Sequence, residues 1–316
     1  VHTIPRWRCW RGIAACIKSA FFFVGRSDLR SALAPPNDKK ASHMTQTIQQ
    51  VIDTILTDIP GAPFAETVDT VKAGDPSSGL LPLIAGGEPE PIGSADKRVQ
   101  SYNYRLCLTD DPANRAPLDP PADDDPAQWE LLGRYVVAMT QSGKRLTLRS
   151  FCKYDPLPNG KFDFNNRWPI STDMLGGADG WPDGTAEERG RIAKAHEEYL
   201  RGFFHFLRTD PRVPANVREE TARFGLPKDE FTDNGNWPYQ LYIRESRRLI
   251  GEYVLTENDC LGIRETPRSV GMGSYTADSH NVQRYVTADG YVQNEGDVSS
   301  MATRPAEGSR SARKSI

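Results

Sequence analysis

An α+β fold, with helices packed on a mostly antiparallel sheet, is what this sequence predicts, and three stretches carry the prediction. Residues 98–109 (R-V-Q-S-Y-N-Y-R-L-C-L-T) alternate as a half-buried strand does. Residues 278–298 hold two β-rich runs, Arg284-Tyr285-Val286 and Tyr291-Val292-Gln293, around Asp289-Gly290, a pair that tolerates the positive φ of a two-residue hairpin turn. Residues 186–208 follow Thr185-Ala186-Glu187-Glu188, a capping-box pattern, and keep Ile192, Tyr199, Phe203 and Phe206 on one helical face.

The remaining elements fall in order around these three. Residues 1–43 carry eight Lys and Arg against two acids, +6, which leaves −9 for the remainder of a chain at −3. Arg6 to Arg11 followed by G-I-A-A-C-I-K-S-A-F-F-F-V and Ala32-Leu33-Ala34 has features of a signal peptide, and the Arg- and Ser-rich composition has features of a transit peptide. Lys18 splits the apolar run, which is also too short to span a bilayer, so the reading favoured is a disordered extension without a folding role, with Met44 as the start. Ile48, Val51, Ile52 and Ile55 then mark a helix at 45–57, ended before Pro60-Gly61. Residues 60–96 read as loop. A helix at 126–139 shows Trp129, Leu132 and Val136 on one face, and 145–154 reads as a second strand.

Residues 155–183 read as a long loop with Asn165, Asn166, Trp168 and Trp181. Loops of that length are functional or folded back as a lid. Its Trp, Asn and Asp content suits a sugar-binding surface, and equally suits aromatics pinning the loop to a core. A short charged helix at 214–224 ends at Gly225 and Pro227. Strands at 238–244, 252–256 and 282–295 complete the sheet. The tail after 298, S-S-M-A-T-R-P-A-E-G-S-R-S-A-R-K-S-I, has no periodicity and reads as disordered. The domain organisation expected is therefore 1–43 as a leader, 44–298 as one α+β domain and 299–316 as a tail.

Composition narrows the function classes. At 316 residues the chain has length for a large core, and 24 prolines with 26 glycines call for many turns. A pI near 6.0 supplies no global field to recruit nucleic acid or an anionic membrane. Cys9, Cys16, Cys107, Cys152 and Cys260 are odd in number and widely spaced, without the spacing of a zinc site or a disulfide framework. That usage favours a reducing compartment, hence the cytoplasm over secretion.

The candidate site residues are polar groups on predicted strands. Asn103 and Arg105 share a strand face with Ser101 and Cys107, and Arg offers a planar fork of donors to a carboxylate or phosphate. The same face could be the wet side of a half-exposed sheet. Tyr242 and Arg244 could stack on and clamp an anionic ligand, while Glu245, Arg247, Arg248 and Glu252 could equally form salt bridges. Asp278, His280, Asn281 and Arg284 crowd the base of the hairpin, where a binding-site wall and an ordinary surface hairpin look alike. His196 and His205 are nine apart and do not share a face at metal-ligand spacing.

Four blocks together resemble the central part of a family of FAD-dependent oxidoreductases with a glutathione-reductase-like fold, some of them labelled xanthan-lyase-like. The blocks are G-D-P-S-S-G-L-L-P with D-K-R-V-Q-S-Y-N-Y-R-L-C-L-T, F-N-N-R-W-P at 164–169, W-P-Y-Q-L-Y-I-R-E-S-R-R-L-I-G-E-Y-V-L-T-E-N-D-C at 237–260, and D-S-H-N-V-Q-R-Y-V-T-A-D-G-Y-V-Q-N-E-G-D-V. The resemblance covers residues 44–298 and implies a flavoprotein whose substrate-side region is this one. Members open on a strand, a Gly-rich turn and a helix that seat the FAD pyrophosphate. The nearest string here, G-M-G-S-Y-T at 271–276, lacks the third glycine. The expectation is a fragment that holds the substrate-side domain and is inactive alone, its small-molecule substrate bound through Asn103, Arg105, Tyr242, Arg244 and Arg284. His280 is expected to exchange a proton, with Asp278 or Asn281 setting its tautomer. The alternatives are a carbohydrate-binding or carbohydrate-active module, and a redox-dead scaffold that pairs with a separate flavin domain.

Overall fold

The computed structural model describes residues 71–72, 75–87, 89–90, 97–167, 169–247, 251–254, 259, 263–264, 279–287 and 292–295. Contacts divide the chain into Val1–Ala65 with Leu157–Asn159, and Glu66–Pro156 with Gly160–Ile316. Of the first unit only Leu157–Asn159 is described. The leader, the helix expected at 45–57, the Asp289-Gly290 turn and the tail lie outside the described residues.

Mixed α and β elements alternate along the chain: β1 (Leu106–Thr109), β2 (Arg115–Ala116), α1 (Glu130–Gln141), β3 (Cys152–Leu157), β4 (Lys161–Asn166), α2 (Ala186–Thr209), α3 (Ala215–Ala222), β5 (Leu226–Pro227), β6 (Gln283–Val286) and β7 (Val292–Glu295). The α+β class holds, but in place of the single sheet expected from the sequence the described residues form three small ones, β1-β4-β3, β2-β5 and β6-β7. In the largest, β1 runs antiparallel to β4 with Leu106 opposite Phe164 and Leu108 opposite Phe162. In the smallest pairing that concerns the site, β6 and β7 are antiparallel with Gln283 opposite Glu295.

Three local corrections explain the difference. The strand expected at 145–154 starts later, because Thr147 and Ser150 cap each other around a 3-10 turn at Leu148–Ser150 before β3 begins at Cys152. The loop expected from 155 contains β4, and the connection to it is Asn159-Gly160, both at positive φ (64° and 66°), the conformation a tight hairpin turn demands. The strand expected at 238–244 forms no ladder. Pro238 has no N–H to donate, Trp237 and Leu241 are buried in the core, and one bridge between Asn103 and Tyr242 is its pairing. Of the strand expected at 252–256, residues 252–254 form none and 255–256 lie outside the described residues.

The core lies under α2. Its capping box is present as the sequence predicts, with Glu188 N donating to Thr185 Oγ1 at 3.2 Å and Thr185 N to Glu188 Oε2 at 2.6 Å. Of the predicted stripe Tyr199, Phe203 and Phe206 are buried and Ile192 is partly buried, and Trp129 packs its ring against the three aromatics with centroids 5.0, 5.9 and 6.2 Å away. Tyr154, Phe164, Phe204 and Phe224 form a second aromatic layer, with Tyr154 stacked on Phe164 at 5.0 Å. Each such side chain contributes about 1.5–3 kcal/mol of burial. Gly225 closes β1 toward β5 through paired bonds with Thr109, 2.9 and 3.0 Å. A Cβ at that position would strike the Ala116 carbonyl oxygen, so the backbones approach this closely only at glycine.

The face of residues 101–105 that could have been wet is buried: Ser101 and Asn103 are both fully enclosed. Buried polar groups require partners. Following those partners leads to the site.

Candidate functional site

Three extended segments, around residues 100–105, 171–174 and 279–284, meet the stretch 241–245. Backbone bonds align them: Ser101 N donates to Asn281 O at 3.0 Å, Tyr242 N to Asn103 O at 2.8 Å and Met174 N to Tyr102 O at 3.3 Å. Gln100 stitches two of them further, its N bonded to Glu245 Oε1 at 2.6 Å and its Oε1 accepting from His280 N at 2.9 Å.

Asp173 is the hub. Its Oδ2 accepts from Ser101 Oγ at 3.1 Å and meets His280 Nδ1 at 2.8 Å, while its Oδ1 accepts from Arg244 Nη2 at 3.0 Å. The side chains of Asp173 and Arg244 are each 4 % exposed and that of His280 16 %, so the imidazole is the outermost member. Arg244 also donates to the Ser101 carbonyl. Burial pushes the Arg244 guanidinium down and the Asp173 carboxylate pulls it back up. Ion pairing at this depth is favourable only when further hydrogen bonds satisfy both groups. Here they do for Asp173, whereas Arg244 Nε has no partner among the described residues.

Two more polar layers continue along the same face. Asn103 Nδ2 donates to Asn165 Oδ1 and Thr172 Oγ1, both at 3.1 Å, and Asn103 Oδ1 is buried without a partner among the described residues. Arg105 turns its fork onto Asp163, with Nε 3.0 Å from Oδ1 and Nη2 on Oδ2. The guanidiniums of Arg105 and Arg244 lie over the Tyr242 ring, which is 46 % exposed, 5.9 and 5.2 Å from its centroid. Beneath the hub, His196 of α2 directs Nδ1 to Ile192 O at 2.7 Å, which makes Nε2 the bare acceptor of a buried ring. Burial holds His196 below the usual histidine range. Tyr102, whose hydroxyl donates to the Glu245 carbonyl, is pushed up to about 12 by burial first and then by the Glu245 charge.

The sequence candidates thus separate by environment. Asn103, Tyr242, Arg244 and His280 gather at or beside Asp173. Arg105 gives its fork to Asp163. Asn281 offers its carbonyl to Ser101, and Asp278 lies outside the described residues. Arg284 sits apart on β6, bonded to Asn294 Oδ1 at 3.0 Å and Pro169 O at 2.5 Å. Asp173 itself escaped sequence reasoning. It stands in S-T-D-M-L-G-G, without periodicity, and its partners are 72, 71 and 107 residues away. Trp181 is pinned to the core, edge-on to Tyr102 at 6.1 Å with Arg189 over its ring, and Trp168 lies outside the described residues.

A dinucleotide would need a helix N-terminus with unused amides. At α2 the capping box occupies them, and Glu187 and Glu188 add negative charge in the first turn. Before α1 the turn is capped by Asp125, with Glu130 opening the helix. α3 is entered from Arg212-Val213-Pro214 with no strand or glycine before it. The described residues therefore do not fit the pyrophosphate of FAD, and G-M-G-S-Y-T lies outside them. Among the described residues no group of His, Cys, Asp and Glu could hold a metal ion, and no helix is long and apolar enough to cross a membrane.

Compared with known proteins, residues 34–305 match the family model described as FAD dependent oxidoreductase. No curated protein and no solved structure matches the chain. Nothing in these comparisons supports a carbohydrate-binding module. The match spans most of the chain and includes every element of the Asp173 cluster, so the chain belongs to the family of FAD dependent oxidoreductases, and FAD is the cofactor that membership brings.

Proposed function

We propose that the described residues form the substrate-side part of an FAD-dependent oxidoreductase of glutathione-reductase-like architecture, with the flavin seated by residues outside those described or by another chain. One observation carries the reading: a buried carboxylate, Asp173, gathers Ser101, Arg244 and His280 on one wall, while no described helix terminus suits a pyrophosphate. A small-molecule substrate would lie against the outer edge of that wall. His280, held through Nδ1 by Asp173, would exchange a proton with it through the opposite ring nitrogen. Asp173 and Arg244 are positioning residues in this scheme, since each acts through His280 or the backbone.

Flavin titration of the purified full chain tests the assignment. The expected result is an FAD dissociation constant weaker than ~10 µM, less than about 7 kcal/mol of binding free energy. Stoichiometric, tight FAD binding by this chain alone would overturn a substrate-side role. In a flavin-loaded assembly, His280→Gln should remove a pH-dependent limb of kcat/KM and leave FAD affinity unchanged. An unaltered profile would remove the proton-carrier role.

A further inference from the structure

Among the buried cations, Arg284 is unlike its counterparts. Arg244 is answered by Asp173, Arg105 by Asp163, and Lys161 by Asp229 and Glu230. Arg208, half-buried, donates to the Leu118 and Phe224 carbonyls; burial first and Arg115 next push it down, and the Asp119 carboxylate pulls it back. Arg284 is 3 % exposed and bonds only to uncharged oxygens, Asn294 Oδ1 and Pro169 O. Among the described residues no carboxylate acts on it: burial pushes its guanidinium down, and the one group pulling it back is the phenol of Tyr199. Tyr199 is itself committed, its hydroxyl donating to Ser171 O at 2.8 Å.

A buried charge without a counter-charge is unfavourable, and proteins keep one where a ligand supplies the opposite sign. The surroundings of Arg284 are built rather than incidental. Asn294 fixes Nε from β7, and the same Asn294 uses Nδ2 to hold Pro169 O at 2.9 Å, the carbonyl that also anchors Nη2. This closed triangle orients the guanidinium through Nε and Nη2. It also sits at the far end of the segments that carry the hub, since Pro169 and Arg284 flank one end where Asp173 and His280 flank the other.

We propose that Arg284 is an anion seat, and that the substrate of the Asp173–His280 site carries a carboxylate which binds there. This rests on the substrate-side reading above and adds a substrate class to it. A carboxylate suits the geometry better than a phosphate. One planar monoanion matches one planar fork and one uncompensated charge, whereas a phosphate dianion would leave excess negative charge buried. Arg105 and Arg244 take no part in anion binding, because their charges are already met.

Thermal unfolding of the full chain at constant ionic strength tests this with acetate and inorganic phosphate as probes against chloride. Acetate should raise the melting temperature by ~3 °C or more near saturation, with phosphate giving less. Arg284→Met should melt at or above the wild-type temperature in chloride, because it removes an uncompensated buried charge, and should lose the acetate response. The order of the two proteins then reverses in acetate. Arg284→Lys keeps the charge without the fork and should retain a reduced response. No acetate response in the wild type, or a response unchanged in Arg284→Met, overturns the proposal. A larger response to phosphate than to acetate overturns the carboxylate assignment. The flavin titration is independent: a carboxylate response alongside tight FAD binding would keep the anion seat and discard the substrate-side reading.

Discussion

At the C-terminal end of α2, Phe203, Phe204, Phe206 and Leu207 enter an aromatic core with no polar demand to meet. Two turns earlier, at the middle of the same helix where its buried stretch begins, His196 and Tyr199 are buried just as deeply, yet each must place a proton on a backbone carbonyl, Ile192 O and Ser171 O. The first end gains from area removed from water. The second gives up part of that gain to bring polar groups beside Asp173 and Arg244, and it leaves His196 Nε2 without a partner among the described residues. One rigid element therefore anchors the fold at one end and supports the candidate site at its middle, which is how a site stays fixed on a scaffold it weakens.

Truncation at the apolar end should have the largest effect. Phe204→Ala removes a fully buried ring that meets Phe164 edge-on at 5.7 Å and Phe203 at 5.4 Å. Chemical denaturation should show a loss of about 4 kcal/mol. A loss below about 1 kcal/mol would mean that the aromatic end does not anchor the helix, and the contrast between the two stretches would collapse.

The polar stretch should respond almost as strongly, but by a different route. Asp173→Asn leaves the Arg244 guanidinium buried without its counter-charge, at a cost of about 3 kcal/mol. Combining it with Arg244→Met should recover much of that loss, because no buried cation is then left without its counter-charge. Strict additivity of the two single changes in a double-mutant cycle would show that the pair is not coupled. No such recovery is available at Phe204, where any partner truncation deepens the cavity.

These two stretches were not equally legible in the sequence. The capping box at Thr185 and Glu188, and the spacing of Ile192, Tyr199, Phe203 and Phe206, are local patterns, and local physics enforces them. The polar cluster depends on contacts across a hundred residues, and Asp173 has no local signature at all. Alternation along 98–109 correctly paired Ser101 with Asn103 on one face. It could not say whether that face was wet, because what covers it comes from residues 165–173 and 242–244. The hairpin at Asn159-Gly160 was readable from its turn residues, but the prolines and glycines around it disguised β4 as loop. At 238–244 the alternation was present and the ladder was not, because Pro238 and the buried Trp237 make that segment pack rather than pair.

The subtlest consequence of the contrast is a pH dependence that belongs to the polar stretch alone. His196 is held neutral by burial, below its ordinary value of 6.5, with the Ile192 carbonyl and Asp173 opposing that shift and Arg244 adding to it. Above 6.5 the folded and unfolded chains both carry this ring unprotonated, and it makes no difference to stability. As pH falls below 6.5 the unfolded chain takes up a proton that the folded chain refuses, so stability is lost from there down toward the folded-state value. Within that window the slope should be ~1.4 kcal/mol per pH unit. Denaturation midpoints of the wild type and His196→Leu should therefore converge or cross as pH is lowered from 8 to 5, since leucine has no proton to refuse. Every other group is common to the two proteins and cancels in the difference. Parallel curves for the two proteins would mean that His196 accepts its proton in the folded state, and that α2 is open to water at His196 where the packing shows it closed.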